Sequence, residues 1–176
     1  MSARAGKPKV IVVASLISIS MASSASAQSQ RSDASSAMRR QHDCREIRAE
    51  SIETVGDVAK FIQIGVITNG GILDGTTEYV FDPATGSVRV TDPDVASWFS
   101  VFTLTTKRGE LKAHNVFLYN LVTGLWTSMA RIDPATSTGR FAGATGVLYF
   151  NGSTIGVFPD SSYPSDVLAH ICLADR

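Results

Sequence analysis

The sequence predicts an all-β protein that closes into an antiparallel barrel of eight or nine strands. Apolar or alternating runs recur about every ten to fifteen residues after Asp43, and turn residues separate them, a spacing typical of sandwiches and barrels. No run of ten or more residues has a 3.6-residue hydrophobic period, so we expect little helix. Cys44 and Cys172 lie in or beside the first and last predicted strands. A disulfide between them would make those strands neighbours and close the sheet.

Two segments precede the predicted barrel. Residues 1–27 combine three basic residues, a short apolar run and the ending Ala25-Ser26-Ala27, which is the pattern of a secretory signal peptide. A membrane anchor is the alternative, but the apolar run is shorter than the ~20 residues of a spanning helix. Residues 28–42 are polar and rich in Ser and Gln, and we expect a disordered leader there. The barrel domain is then 43–176, in a secreted or periplasmic protein.

The first half of the domain contains four predicted strands. Residues 60–68 are rich in β-branched side chains and stop at Asn69-Gly70-Gly71, a hairpin signal. A second turn signal, Asp82 to Gly86, carries both Pro and Gly, which supply turn dihedrals. The strands expected here are 45–54, 60–68, 72–81 and 87–91.

The second half alternates strands with turns in the same way. Lys107-Arg108-Gly109 and Val122-Thr123-Gly124 are turn sequences between apolar runs. The glycines from Gly139 to Gly146 disfavour helix and strand, and β-branched and aromatic residues from Val147 follow them. We interpret this stretch as a tight corner that leads into a buried strand. The strands expected here are 97–106, 110–121, 125–132, 147–155 and 167–173.

The charge balance limits the classes of partner. Without residues 1–27 the chain has 13 basic and 16 acidic residues, a net charge of −3. Nucleic acids and anionic membranes select clustered basic surfaces. We therefore expect no nucleic-acid partner, and no membrane partner after signal cleavage.

The two cysteines predict a covalent framework. An even number of cysteines in an oxidising compartment indicates a disulfide, here between Cys44 and Cys172. Two buried free thiols or a metal pair are the alternatives, although no CxxC or Cys/His spacing favours a metal. We expect no bound metal and no cofactor.

Several predicted strands are apolar on both faces, for example residues 98–102 and 116–119. One face would fill the barrel and the other would need a cover, which a homo-oligomer interface supplies.

Two motifs, Gly75-Thr76-Thr77-Glu78-Tyr79 and the corner from Gly139 to Gly146, lie within residues 44–174. On these motifs, residues 44–174 resemble the allene oxide cyclase and dirigent-like β-barrel superfamily. It implies a secreted eight-stranded antiparallel barrel, often trimeric, with an apolar cavity at one mouth. Members of this superfamily hold a reactive, mostly apolar intermediate and guide its cyclisation or coupling without a cofactor. No catalytic residue of the plant enzymes carries over to this chain.

Candidate site residues follow from strand alternation. Ala113, Asn115, Phe117 and Tyr119 share one face of their strand. If that face lines the interior, Asn115, Phe117 and Tyr119 are candidate ligand contacts, and otherwise they are ordinary core residues. Glu78 is a candidate acid or base if it points inward, because burial raises a carboxyl pKa. The alternative for Glu78 is an outward, solvated carboxylate.

Two functional classes are consistent with these patterns. The first is a barrel that binds a small apolar molecule and acts as a cofactor-free cyclase, isomerase or coupling guide, with Glu78, Asn115 and Tyr119 as candidate catalytic groups. The second is a non-enzymatic secreted ligand carrier or structural barrel that acts through an oligomer surface. An open apolar cavity favours ligand binding, whereas an interior filled by Phe, Leu and Trp favours the structural role.

Overall fold

Each strand pairs with the next along the chain, and the last pairs with the first, in a closed eight-stranded antiparallel barrel. The computed structural model describes residues 43–89 and 92–174. The predicted signal peptide, the leader and the end of the predicted strand 87–91 lie outside these residues. The strands are β1 (Asp43–Asp57), β2 (Ile62–Thr68), β3 (Gly75–Arg89), β4 (Asp92–Thr106), β5 (Gly109–Asn120), β6 (Leu125–Ile132), β7 (Thr145–Ser153) and β8 (Ser162–Leu173).

The predicted closure is confirmed. β1 and β8 pair from Asp43–Leu173 to Thr54–Ser162, and Cys44 lies directly opposite Cys172. The two sulfur atoms are bonded at 2.05 Å and join positions 128 residues apart. The disulfide therefore links the first and last strands at one end of the barrel.

The predicted scarcity of helix is confirmed as well. The helical structure in the described part of the chain consists of three 3-10 turns, Val58–Lys60, Gly71–Leu73 and Gly139–Phe141. No described helix is long and apolar enough to cross a membrane.

The turn predicted at 82–86 is wrong. β3 continues through it to Arg89, and the ladder with β4 is interrupted between Asp82 and Ser87. Local hydrogen bonds explain the irregularity: Asp82 Oδ1 accepts from Ala84 N, and Thr85 Oγ1 donates to the Asp82 carbonyl. These bonds make a bulge, after which pairing resumes at Ser87 and Ser97. The predicted strands 72–81 and 87–91 are consequently one strand, β3.

Other predicted boundaries also move, by up to five residues where β4 begins at Asp92 and not at Ser97, and two of the shifts have local reasons. The strand predicted from Ile72 begins at Gly75, because residues 71–73 form a 3-10 turn that buries Leu73. The strand predicted from Val167 begins at Ser162. Pro164 is tolerated there because it lies one position beyond the last residue that pairs with β7.

The two ends of the barrel differ. We call the end that holds the disulfide and the β2–β3, β4–β5 and β6–β7 connections the closed end, and the opposite end the mouth. At the closed end the 3-10 turn Gly139–Phe141 inserts Phe141, which is fully buried. Gly143, in the same connection, has φ of 72°, a conformation that glycine adopts without strain. The corner predicted from the sequence is therefore confirmed as the plug of the closed end. Other fully buried plug residues are Leu73, Leu104, Leu111, Leu148 and Ile171.

Candidate functional site

The mouth opens into an apolar cavity of about 550 Å³. Its walls include Val55, Phe81, Trp98, Phe117 and Tyr163. Aromatic pairs reinforce the wall, with Phe117 centroids 5.7 Å from Phe81 and 6.1 Å from Trp98. A concave, mostly apolar space of this size is typical of small-molecule sites.

A second, much smaller cavity lies deeper in the barrel. It has a volume of about 10 Å³ and is lined by Glu53, Tyr79, Trp126 and Ser128, and we call it the floor. Four residues line both spaces, namely Gln63, Phe81, Phe117 and Tyr163. The floor is therefore continuous with the wall of the mouth cavity.

Glu53 reaches the floor because of a glycine on the neighbouring strand. Glu53 pairs with Gly65, and Gly65 pairs with Thr77 on the next strand. A Cβ on Gly65 would collide with Glu53 Oε2. The missing side chain lets Glu53 extend across β2, where Thr77 Oγ1 donates a hydrogen bond to Glu53 Oε2 at 2.5 Å.

Burial dominates the electrostatics of Glu53. The residue is 1% exposed, and its desolvation raises the carboxyl pKa to about 7, although the Thr77 hydrogen bond acts in the opposite direction. Glu53 Oε1 has no hydrogen-bond partner among the described residues. The floor thus presents a carboxyl group that exchanges its proton near neutral pH.

Three further polar atoms on the floor lack partners within the described part of the chain: Tyr79 Oη, Trp126 Nε1 and Ser128 Oγ. Burial, with a smaller contribution from the charge of Glu53, raises the pKa of the Tyr79 hydroxyl well above its usual value. Tyr79 consequently keeps its proton, and its hydroxyl and the indole N–H of Trp126 are both hydrogen-bond donors. An unpaired buried polar group costs about 1–3 kcal/mol, so a ligand oxygen would gain from meeting these atoms.

The face of β5 that carries Ala113, Asn115, Phe117 and Tyr119 lines the interior, so the condition on these candidates is met, and the residues have different surroundings. Phe117 lines both cavities, and Tyr119 lines the mouth, where its hydroxyl oxygen accepts from Thr154 Oγ1 at 3.2 Å. Asn115 is 1% exposed and lines neither cavity. Its Nδ2 donates to Ser100 Oγ at 2.9 Å, so it lies in the interior as a partly satisfied amide.

The condition for a role of Glu78 as an interior acid or base is not met. Glu78 is exposed on the outer face of β3 and borders a shallow outer groove. Its neighbours Thr77 and Tyr79 point inward instead, as strand alternation requires. The interior carboxyl is Glu53, on a different strand.

Sequence reasoning missed Glu53 because the hydrophobic pattern of β1 is misleading. Ile52 is 54% exposed, whereas Ser51 and Glu53 are buried. A hydrophobicity rule would place Ile52 inside. The available signal was Gly65, a residue without a side chain on the inward face of β2, which leaves space for a neighbour.

The described residues contain no group of three or more His, Cys, Asp or Glu side chains arranged to hold a metal ion. No protein-family model, curated protein or solved structure matches the chain. Nothing in these comparisons identifies an allene oxide cyclase or dirigent-like family, and that resemblance stays a prediction.

Proposed function

We propose that the barrel binds a small, uncharged, largely apolar molecule in the mouth cavity, with the polar end of the molecule towards Glu53. The observation that carries this proposal is an apolar cavity above a buried carboxyl that has one unpaired oxygen and a pKa of about 7.

The charge of the cavity walls defines the ligand class. The charged residues that line the two cavities are Glu53 and Asp57, and Asp57 is already paired with Lys60 at 2.9 Å. No cationic side chain is among the residues that line these spaces in the described part of the chain. A carboxylate or phosphate would enter without a counter-charge, so a neutral molecule with an acceptor oxygen fits best.

The proposed chemistry is an isomerisation or cyclisation by proton transfer. Ionised Glu53 removes a proton from one atom of the bound molecule and, as the acid, returns it to another. Tyr79 and Trp126 donate hydrogen bonds to an oxygen that gains electron density between the two transfers. The proton count of the molecule is unchanged, so the reaction needs no cofactor.

Secretion, membership of the allene oxide cyclase and dirigent-like superfamily, and a homo-oligomer such as a trimer belong to the same proposal. The disulfide is compatible with an extracellular or periplasmic protein. An outer apolar row of directly opposed residues is suited to contact between subunits: Phe99, Val116, Met129, Tyr149 and Leu168.

Native mass spectrometry of the protein purified from its own host tests ligand binding. We expect a retained small molecule on the wild type. The cavity-filling substitution Val55→Trp should remove it, whereas Val101→Trp on the outer wall should not. A wild type that carries no added mass and binds no neutral apolar fluorophore would contradict the proposal.

The variant Glu53→Gln distinguishes an enzyme from a ligand carrier. If the protein is an enzyme, the wild type converts the identified ligand, and Glu53→Gln retains binding but loses turnover about 100-fold or more. If both proteins return the ligand unchanged, the barrel is a carrier. That is the second candidate, and the same cavity favours it.

A further inference from the structure

The exposed apolar residues are unevenly distributed between the two ends of the barrel. Of sixteen large hydrophobic residues exposed in the described part of the chain, eight lie on the outer walls of the strands and eight lie at the mouth. The closed end has none among the described residues. We call the eight residues at the mouth the rim: Val58, Phe61, Leu121, Val122, Leu125, Ile155, Val157 and Phe158.

Seven of the eight rim residues come from three separate connections, β1–β2, β5–β6 and β7–β8, and Leu125 is the first residue of β6. These connections adjoin one another, because Thr154 N donates to the Gly124 carbonyl and β8 pairs with β1. The most exposed side chains are Val157 at 82% and Val122 at 73%. Both lie in connections and not on the wall of the sheet, and exposed apolar side chains spread over separate connections suit a fluid apolar phase better than a complementary protein face.

The rim is continuous with the mouth cavity. Val58, Phe61, Leu121 and Phe158 are exposed at the rim and also line the cavity wall. An apolar molecule that passes from a lipid phase across the rim would therefore reach the cavity without crossing water.

The charges around the mouth limit which surface the rim can meet. The three rim connections carry Asp57, Lys60 and Asp160, and the first two form an ion pair. Among the described residues, Asp82 on β3 and Asp92 and Asp94 on β4 also lie towards this end of the barrel. An anionic membrane would find no excess of positive charge here. Two copies that met mouth to mouth would bring their acidic residues together.

We propose that the rim inserts shallowly into an uncharged lipid surface, such as zwitterionic phospholipid. The sequence argument against a membrane partner concerned anionic lipid, which binds a basic surface. An uncharged lipid surface requires only apolar side chains that insert at the boundary between headgroups and acyl chains. Docking itself depends on the rim alone. Loading of the cavity from the lipid rests on the proposed function.

Vesicle flotation of the full chain tests the proposal, with the rim variant Val122→Asp/Val157→Asp and the wall variant Val66→Asp/Val101→Asp as a matched control. All three proteins share residues 1–42, and their melting temperatures are measured first. On phosphatidylcholine vesicles we expect the rim variant to partition roughly tenfold or more less than the wild type, and the wall variant to partition like the wild type. Addition of phosphatidylglycerol should not increase binding.

Quenching by brominated phosphatidylcholine gives a readout that is independent of the N-terminal segment. The fluorescence that Phe158→Trp adds at the rim to that of Trp98 and Trp126 should be quenched, whereas the fluorescence that Val101→Trp adds on the outer wall should not be. Equal quenching at both positions, or none at the rim, would overturn the proposal.

A rim variant that floats like the wild type would also overturn the proposal. So would a concentration-dependent dimer that only the rim variant loses, because this result would identify a second copy of the chain as the occupant of the rim. None of these measurements uses a ligand of the cavity, so their failure leaves the proposed function untouched.

Discussion

The closed end and the mouth of this barrel are built from the same eight strands but differ in what fills and covers them. The closed end holds the disulfide, the inserted Phe141 and a set of fully buried aliphatic residues. The mouth holds a cavity of about 550 Å³ and loops with exposed apolar side chains. A filled half stabilises the barrel, so the other half can leave a cavity open and keep buried polar atoms unpaired.

The polar floor lies between these two regions. Glu53, Thr77 and Tyr79 are each at most 3% exposed, so water does not screen the Glu53 carboxyl. Burial of this carboxyl lowers the free energy of unfolding. In a small domain without the disulfide and the packed closed end, that loss would be a larger share of the total stability. The comparison therefore predicts large effects on stability from changes at the closed end and effects on ligand or lipid binding from changes at the mouth.

The largest expected effect is loss of the plug. Phe141→Ala should lower the free energy of unfolding by about 3–5 kcal/mol, because it leaves a cavity at a fully buried position. Phe158→Ala is the matched control at the mouth. Phe158 is 61% exposed, so its truncation should change stability by less than about 0.5 kcal/mol. Urea unfolding of both variants makes the measurement, and equal losses would remove the contrast between the two ends.

Loss of the disulfide should be next in size. Cys44→Ser/Cys172→Ser frees a loop closed over 128 residues, and removal of such a bond costs about 2–5 kcal/mol. The melting temperature should fall by a similar amount in the wild type treated with a reducing agent, and the reductant should not affect the double variant. An unchanged melting temperature in both cases would show that strand pairing alone holds β1 against β8.

The floor should make stability depend on pH. Because the pKa of Glu53 is raised from 4.5 to about 7, the folded protein favours the protonated form. The stabilisation of the folded state by the protonated Glu53 carboxyl is complete below about pH 4.5 and is lost as the pH rises through about 7. At 1.36 kcal/mol for each pKa unit, the loss is about 3 kcal/mol. Glu53→Gln should remove this decline, and urea unfolding from pH 4.5 to 7.5 measures the difference between the two proteins. Parallel curves would mean that Glu53 is solvated.

The smallest expected effect concerns the backbone of the closed-end corner. Gly143→Val should destabilise the fold by about 1–2 kcal/mol, because a β-branched residue is strained at φ of 72°. Gly143→Asn should cost less, since asparagine tolerates this conformation. Thermal unfolding compares them. Similar losses for both variants would assign the effect to the contact with Ala174, whose Cβ would lie 3.2 Å from the new Cβ.

Much of the fold could be predicted because its signals are local. Turn residues and β-branched runs predicted β6 at its observed bounds, Leu125–Ile132, and alternation correctly grouped Ala113, Asn115, Phe117 and Tyr119 on one face of β5. The Asp82–Gly86 error has the opposite cause. A turn sequence became a bulge because β4 continues alongside β3 and restores the pairing at Ser87.

The site was less accessible to sequence reasoning. Phe117 and Tyr119 line the interior and Glu78 points outward, but alternation alone left open which face of each strand points inward. Glu53 points inward although Ile52, the residue beside it, is more hydrophobic. Which of its two faces a strand turns inward depends on its register with both neighbouring strands. The sequence of a single strand does not contain that information.

Local preferences and an even count of cysteines were enough to predict the strand content, most of the turns and the pairing of Cys44 with Cys172. The course of Glu53 across Gly65 to Thr77, the filled end and the open end with its apolar rim depend on how the strands assemble. Those features arise from the stagger of eight strands around a closed ring, which brings residues from distant parts of the chain to the same depth in the barrel.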